Sequence, residues 1–246
     1  MTRQGVDVSH WQGDIDWEQV KASGIDFVIV KAGGSDAGFY TDKYFEKNYA
    51  GAKAAGLMVG AYYFVGKYCK SYEDGVADAM RFIAMISGMQ FEYPVYIDFE
   101  APDASDVEGN TEACIGFCQT MEDNGYFSGI YASEISGFHN RLDDSKLQSY
   151  SHWVARYGKK PYTISEKVFG IWQYSSKGSV AGISGNVDMD ISYVDFPSII
   201  KKAGLNGFTK QHTENKPAAP VELTLEERVA ALEEKINIIL DSIVDK

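Results

Sequence analysis

Asp98 and Glu100 close the apolar run "YPVYIDFE" and are separated by a single phenylalanine. Side chains alternate along a strand, so both carboxyls share one face, with their backbones about 6 to 7 Å apart. A pair of acids held this way suits glycoside cleavage. One carboxylic acid protonates the leaving oxygen while another group handles the positive charge developing at the sugar carbon. Crowding supports the chemistry, because like charges raise the pKa of one member and keep a proton available near neutral pH. Three further acids lie in strand-like runs: Asp7 in "GVDVSHW", and Asp188 and Asp190 in "VDMDISY". Two other readings use the same residues. Acids at strand ends also cap helices or pair with lysine and arginine, and Asp98, Glu100 and Asp188 could ligate Mg²⁺ or Ca²⁺ through oxygen. No phosphate cradle accompanies them and only His10 lies near them, so neither a metal nor a cofactor is expected.

Positioning these acids requires a particular set of elements. Short apolar runs alternate with amphipathic stretches that close at glycine, a pattern that argues for βα units around a parallel sheet. Eight strands are predicted: "GVDVSHW", "DFVIVKAG", "LMVGAYYFV", "YPVYIDFE", "SGIYAS", "HWVARY", "FGIWQYS" and "VDMDISY". Helices are predicted at "DWEQVKASG", "YFEKNYAGAKAAG", "EDGVADAMRFIAMISG" and "TEACIGFCQTMEDNG", each ending at a glycine suited to the position after the cap. After the fifth strand helical length fades, so the expected fold is α/β, an eight-stranded β/α barrel with its last helices reduced or missing. An open doubly wound sheet is the alternative, weakened by the absence of a G-x-G-x-x-G fingerprint. In a barrel, sites lie at the carboxyl ends of the strands. Asp98 and Glu100 end the fourth strand, and the last strand, with Asp188 and Asp190, would neighbour the first, with Asp7.

Thirty-five acidic against 23 basic residues give a net charge of −12, and no basic stripe appears, so neither nucleic acid nor an anionic membrane surface is an expected partner. A neutral glycan fits better. Trp11, Tyr62, Tyr63, Tyr131, Trp153, Tyr157, Trp172 and Tyr174 fall at or near strand ends, where flat rings either meet sugar faces or fill the barrel. Cys69, Cys114 and Cys118 are too few for a disulfide framework, and Cys114 and Cys118, four apart on a predicted helix, read as core. The opening "MTRQGVDVSHW" has no apolar h-region, so synthesis in the cytoplasm without a signal peptide is expected.

Composition changes after Gly207. Residues 207–222 are polar with two prolines and read as a linker, leaving 1–206 as the catalytic barrel. Within 223–246, Leu225, Val229, Leu232, Ile236, Ile239 and Ile243 recur at alternating spacings of four and three, the a/d pattern of a coiled coil. Thr224 and Glu227 form a capping box at its start. A parallel homodimer or homotrimer through 223–246 is expected; the alternative is an amphipathic helix folded back on the barrel.

In order and spacing, "GVDVSHWQGDIDW", "VGAYYF", "YIDFE", "GIYAS", "HWVARY", "IWQYSSKG" and "GISGNVDMD" resemble the family 25 glycoside hydrolases, lysozymes that act as N-acetylmuramidases. The resemblance runs from about Gly5 to Gly204. It implies an irregular β/α barrel of five βα units followed by three strands, acting on peptidoglycan glycan strands of the bacterial cell wall after phage-type or extracellular release. By it Glu100 is the general acid, Asp98 orients the substrate's 2-acetamido group, and Asp7 and Asp188 are further acids of the cleft. Lys31, Tyr62, Tyr131, Trp153, Tyr157, Gln173 and Asp190 match substrate-contact positions, with Asp190 standing where the family often has asparagine. Two departures bear on subsites: "KAGGS" where the family commonly has K-A-T-E-G, losing an acid at Gly34, and "YYF" for Y-H-F, placing Tyr63 where a histidine is common. Retention by attack of the substrate's own acetamido oxygen and inversion by an activated water both stay open. So do two other functions, a barrel that binds peptidoglycan without cutting it and a related hydrolase acting on chitin.

Overall fold

Alternation along the strands divides the apolar residues between two cores. On the strand Val95–Asp98, Val95 and Ile97 join a large outer cluster with the helices, whereas Tyr96 joins Phe27, Ile29, Tyr62, Tyr131, Trp153 and Ile171 in a separate inner cluster. Two cores on opposite faces of one sheet are what a closed barrel requires. The structure is a computed structural model that describes residues 2–161 and 169–210. In chain order the elements are β1 (Arg3–Val8), α1 (Trp17–Ala22), β2 (Phe27–Gly34), β3 (Tyr40–Thr41), α2 (Phe45–Ala54), β4 (Met58–Phe64), α3 (Tyr72–Ile86), β5 (Val95–Asp98), α4 (Val107–Asp123), β6 (Ser128–Ser133), β7 (Ser151–Ala155), β8 (Phe169–Gly178), β9 (Val187–Ser192) and α5 (Phe196–Ala203).

Strands β1, β2, β4, β5, β6, β7 and β8 run parallel in that order, and β9 closes the barrel between β8 and β1. The four longer connections carry α1 to α4, and β6 is followed by a single π-helical turn, Glu134–His139. The five-plus-three barrel expected by resemblance is therefore present. Local signals start the helices: Asp16, Ser71 and Asp106 each cap a helix by accepting a backbone N–H. α5 has Pro197 in its first turn and ends at Gly204, φ 72°.

The structure corrects one expectation: the sheet is not wholly parallel. β9 is antiparallel to both neighbours. This orientation is what lets the site form. A parallel strand beginning at Val187 would carry Asp188 to the far end of the barrel; reversed, β9 pairs Asp188 directly with Asp7 near the carboxyl end of β1. The short β3 and the closing α5 were not expected either.

Asn206 locks the other end. It is fully buried in the left-handed region, φ 53°, where asparagine is tolerated. Its Nδ2 donates to the carbonyls of Phe91 (3.2 Å) and Tyr93 (2.8 Å), and its Oδ1 accepts the N–H of Phe127 (2.7 Å). One side chain thus ties the chain after α5 to the entries of β5 and β6. The linker expected at 207–222 is described only to residue 210, and the helix expected at 223–246 lies outside the described residues.

Candidate active site

One cleft at the carboxyl ends of the strands receives ten of the eleven site residues expected from sequence: Asp7, Lys31, Tyr62, Asp98, Glu100, Tyr131, Trp153, Tyr157, Gln173 and Asp188. The eleventh, Asp190, is fully buried beneath it. Each arrives by alternation: Asp7 is the last inward position of β1, Lys31 lies on β2, Tyr62 on β4, Asp98 ends β5, and Glu100 follows two residues later. Ser9, Trp11 and Phe64 complete the wall.

Burial sets the electrostatics. Asp98 is buried, and loss of solvent, then the Glu100 charge, push its pKa well above the carboxylate range, opposed by Lys31 and Arg141. Its Oδ1 has no hydrogen-bond partner among the described residues. Glu100 is also raised by burial, with Arg141 and then Lys31 pulling it down. Asp188 rises to about 6, through burial and then Glu100. Asp7 is raised well above normal by burial, Asp190 and Asp188, against a hydrogen bond from Gln173. All four shifts favour the protonated carboxyl, which fits acid chemistry rather than a simple ion-pair network.

A polar relay orders one wall. Tyr131 and Tyr157 donate their hydroxyls to Gln173 Oε1 (2.9 and 3.1 Å), which fixes the amide so that its Nε2 donates to Asp7 Oδ2 (2.7 Å). The aromatics separate into floor and rim. Trp153 is 1% exposed, with Tyr131, Tyr96 and Tyr62 packed around it at centroid distances of 4.3, 5.3 and 5.9 Å. Trp11 and Tyr157, 81% and 56% exposed, are the rings free to meet a ligand. Trp172 lies outside the cleft lining, its indole N–H donating to the Arg156 carbonyl (2.7 Å).

The two motif departures have different consequences. Tyr63 points away from the cleft into the outer core, where its hydroxyl donates to Asp78 (3.3 Å), so it does not shape a subsite. At Gly34 a Cβ would sit 2.5 Å from the Phe64 carbonyl, 2.9 Å from the Tyr40 hydroxyl and 3.0 Å from Asp36 Oδ1. No side chain fits there; the nearby carboxyl belongs to Asp36, which accepts from Tyr40 (2.8 Å) and whose charge also raises Asp98. Asp36, Phe64 and Arg141 are the residues sequence reasoning missed. Arg141 follows the π-helical turn and donates to the Phe99 carbonyl (3.3 Å), a place no periodicity marks. Lys31 Nζ stands 4.5 Å from the Phe64 ring centroid, within cation–π range, which holds the ammonium beside the acids. No group of three His, Cys, Asp or Glu among the described residues is arranged to hold a metal ion.

A sequence model described as "Glycosyl hydrolases family 25" matches residues 6–183. The chain is 30% identical over 187 residues to an autolytic lysozyme of Clostridium acetobutylicum, covering 76% of this chain and 55% of that protein. It is 30% identical over 212 residues to lysozyme M1 of Streptomyces globisporus, covering 75% and 66%. It thus spans between half and two thirds of the length of these relatives. The crystal structure of a bacterial lysozyme from Streptomyces coelicolor superposes with a TM-score of 0.66 at 26% identity, covering 82% of this chain and 96% of that one.

Proposed function

The chain belongs to the glycosyl hydrolases family 25, and from that premise we propose that it hydrolyses the β-1,4 bond between N-acetylmuramic acid and N-acetylglucosamine in bacterial peptidoglycan. The observation that carries the reading is the gathering of Asp7, Asp98, Glu100 and Asp188 at one mouth, with burial raising all four. Binding alone would gain nothing from so unfavourable a set of acids.

Glu100, whose pKa burial raises against the pull of Arg141 and Lys31, donates its proton to the glycosidic oxygen. Asp98, with an unpartnered buried Oδ1, accepts the N–H of the 2-acetamido group and turns the acetamido oxygen toward the anomeric carbon. That oxygen forms its bond to the carbon as the glycosidic bond breaks, and the leaving oxygen takes the proton from Glu100. Water then opens the cyclic intermediate, giving its proton to the Glu100 carboxylate, so configuration is retained. Trp11 and Tyr157 supply exposed faces for neighbouring sugars. The place of action is the bacterial cell wall. No described helix is long and apolar enough to cross a membrane.

Mass spectrometry of muropeptides from digested walls tests the bond. Muramic acid at the new reducing end is expected; glucosamine reducing ends, cleavage of chitin oligomers alone, or intact walls would reject the reading. Proton NMR of the first-formed anomer tests the stereochemistry, with the β-anomer expected and an initial α-anomer assigning inversion.

A further inference from the structure

Beneath the cleft, the buried carboxyl of Asp190 faces that of Asp7 within hydrogen-bonding reach. We propose that Asp190 is a positioning residue: one proton shared between the Asp190 and Asp7 carboxyls holds Asp7 in place against the sugar, and the hold is released when that proton leaves. The inference rests on the muramidase reading above for its effect on rate, though not for the shared proton itself.

The strand geometry forces the encounter. On the antiparallel pair of β1 and β9, Asp7 is opposite Asp188 and Gly5 is opposite Asp190, so all three acids point into the barrel. Gly5 leaves the space across from Asp190 to the Phe27 ring, which would lie 2.2 Å from a Cβ at residue 5. The Asp190 carboxyl is turned to the floor of the cleft, where it meets Trp153. Asp190 Oδ1 accepts the Trp153 indole N–H at 2.8 Å, and Asp7 Oδ2 accepts Gln173 Nε2 at 2.7 Å. Each acid therefore has one oxygen committed to a neutral donor. Asp190 Oδ2 has no N–H or O–H donor among the described residues, although the atom is buried. A buried oxygen without a donor is costly, and a proton placed between the two carboxyls satisfies it.

The surroundings favour keeping that proton. The titratable groups acting on or feeling Asp190 are Asp7 from β1, Asp188 from its own strand, Tyr96 from β5 and Tyr174 from β8, and those acting on or feeling Asp7 include Asp188, Asp98 from β5, Tyr62 from β4, Tyr131 from β6 and Tyr157 after β7; β7 contributes the neutral Trp153 and β8 the neutral Gln173. No lysine or arginine is among them. Burial and the negative neighbours raise both acids, and the pair titrates as a unit in two steps. Between the steps it carries one negative charge and a fixed geometry. After the second step two buried anions face each other, and Asp7 parts from Asp190 at the cost of its Gln173 relay. An asparagine at 190 would donate an N–H to Asp7 at every pH; an aspartic acid does so only while protonated.

Asp190→Asn isolates the effect. The expected result is that the ratio of kcat/KM for Asp190→Asn to that of the wild type on purified walls rises by about tenfold from pH 6 to pH 9. Loss of the Glu100 proton is common to both proteins and cancels in the ratio. A flat ratio, as a purely structural role would give, overturns the proposal. Carboxyl ¹³C NMR of the wild type reads the proton directly. Asp7 and Asp190 are expected to retain one proton between them at pH 7, and full ionisation of both at pH 6 overturns the proposal whether or not walls are cut. Absence of lysis with the shared proton present would count against the muramidase reading alone.

Discussion

At the residue scale, the proposed chemistry depends on carboxyls whose pKa burial raises, and removing one acid tests each proposed role differently. Glu100→Gln keeps shape and hydrogen bonding but cannot release a proton, so kcat is expected to fall by about 10²- to 10⁴-fold, the range of general acid catalysis, with the thermal midpoint little changed. Wall lysis near the wild-type rate would remove Glu100 from that role. Asp188 gives a pH-dependent stability effect of known sign. Its folded pKa, about 6, lies above the ordinary carboxylate value of 3.8, so the folded state binds the proton more tightly. Stability is then lost as pH rises from about 4 to about 6 and stays lost above. The full shift corresponds to roughly 3 kcal/mol, and the water-facing side of the carboxyl reduces this to about 1–2 kcal/mol. Asp188→Asn should therefore raise Tm by about 2–6 °C at pH 7.5 and not at pH 4, while lowering activity. An equal gain at both pH values, measured by scanning calorimetry, would show that charge is not the cause. The acids themselves were legible in the sequence because strand alternation converts position into facing direction. Depth was not legible: Asp188 and Asp190 are both inward by parity, yet only Asp188 reaches the cleft, because Asp190 lies one layer further from the mouth.

At the element scale, two helices are held by the absence of side chains. A Cβ at Gly75 on α3 would lie 2.0 Å from the Ala113 carbonyl oxygen, and one at Gly116 on α4 would lie 2.2 Å from the Tyr72 carbonyl oxygen. The backbones of α3 and α4 are in contact at two points. Helix propensity alone would make Gly116→Ala stabilising by about 1 kcal/mol. Overpacking against a fixed carbonyl costs about 1–3 kcal/mol and more when the backbone must shift, so the clash wins. Gly116→Ala is expected to lower Tm by several degrees, and a Tm equal to or above that of the wild type would contradict the close approach. The predicted helix "EDGVADAMRFIAMISG" matches α3 closely and "TEACIGFCQTMEDNG" falls on α4, which starts one turn earlier at Val107; their apolar faces repeat at helical spacing. Strand direction is another matter. Apolar pattern is the same read either way, so the antiparallel entry of β9 had no local signal, and it is the feature on which the meeting of Asp7 and Asp188 depends.

At the scale of the whole molecule, the position at which the chain can be cut follows from what closes the barrel. The described residues belong to one compact unit, and near its end Asn206 makes side-chain hydrogen bonds to two carbonyls and one N–H at the entries of β5 and β6. Phe208 packs onto the inner cluster just beyond it, and Gln90 Nε2 donates to the Gly207 carbonyl at 3.1 Å. Removing Asn206 takes a partner from two buried carbonyls and one part-buried N–H; each buried carbonyl left unsatisfied costs about 1–3 kcal/mol, a large share of the stability of an ordinary domain. A chain ending at residue 210 is expected to keep the Tm of the barrel and its kcat/KM on soluble muropeptide fragments. One ending at 204 is expected to fail to fold. We propose that the segment 223–246, with its heptad spacing, joins two or three copies and so presents several clefts to one wall. The same truncation at 210 then separates oligomerisation from catalysis: light scattering should fall from a dimeric or trimeric mass to a monomer, and lysis of whole walls should drop while cleavage of soluble fragments does not. A full-length chain that already scatters as a monomer would leave the heptads to some other role, and a 210-residue chain that unfolds would move the end of the catalytic domain beyond Phe208.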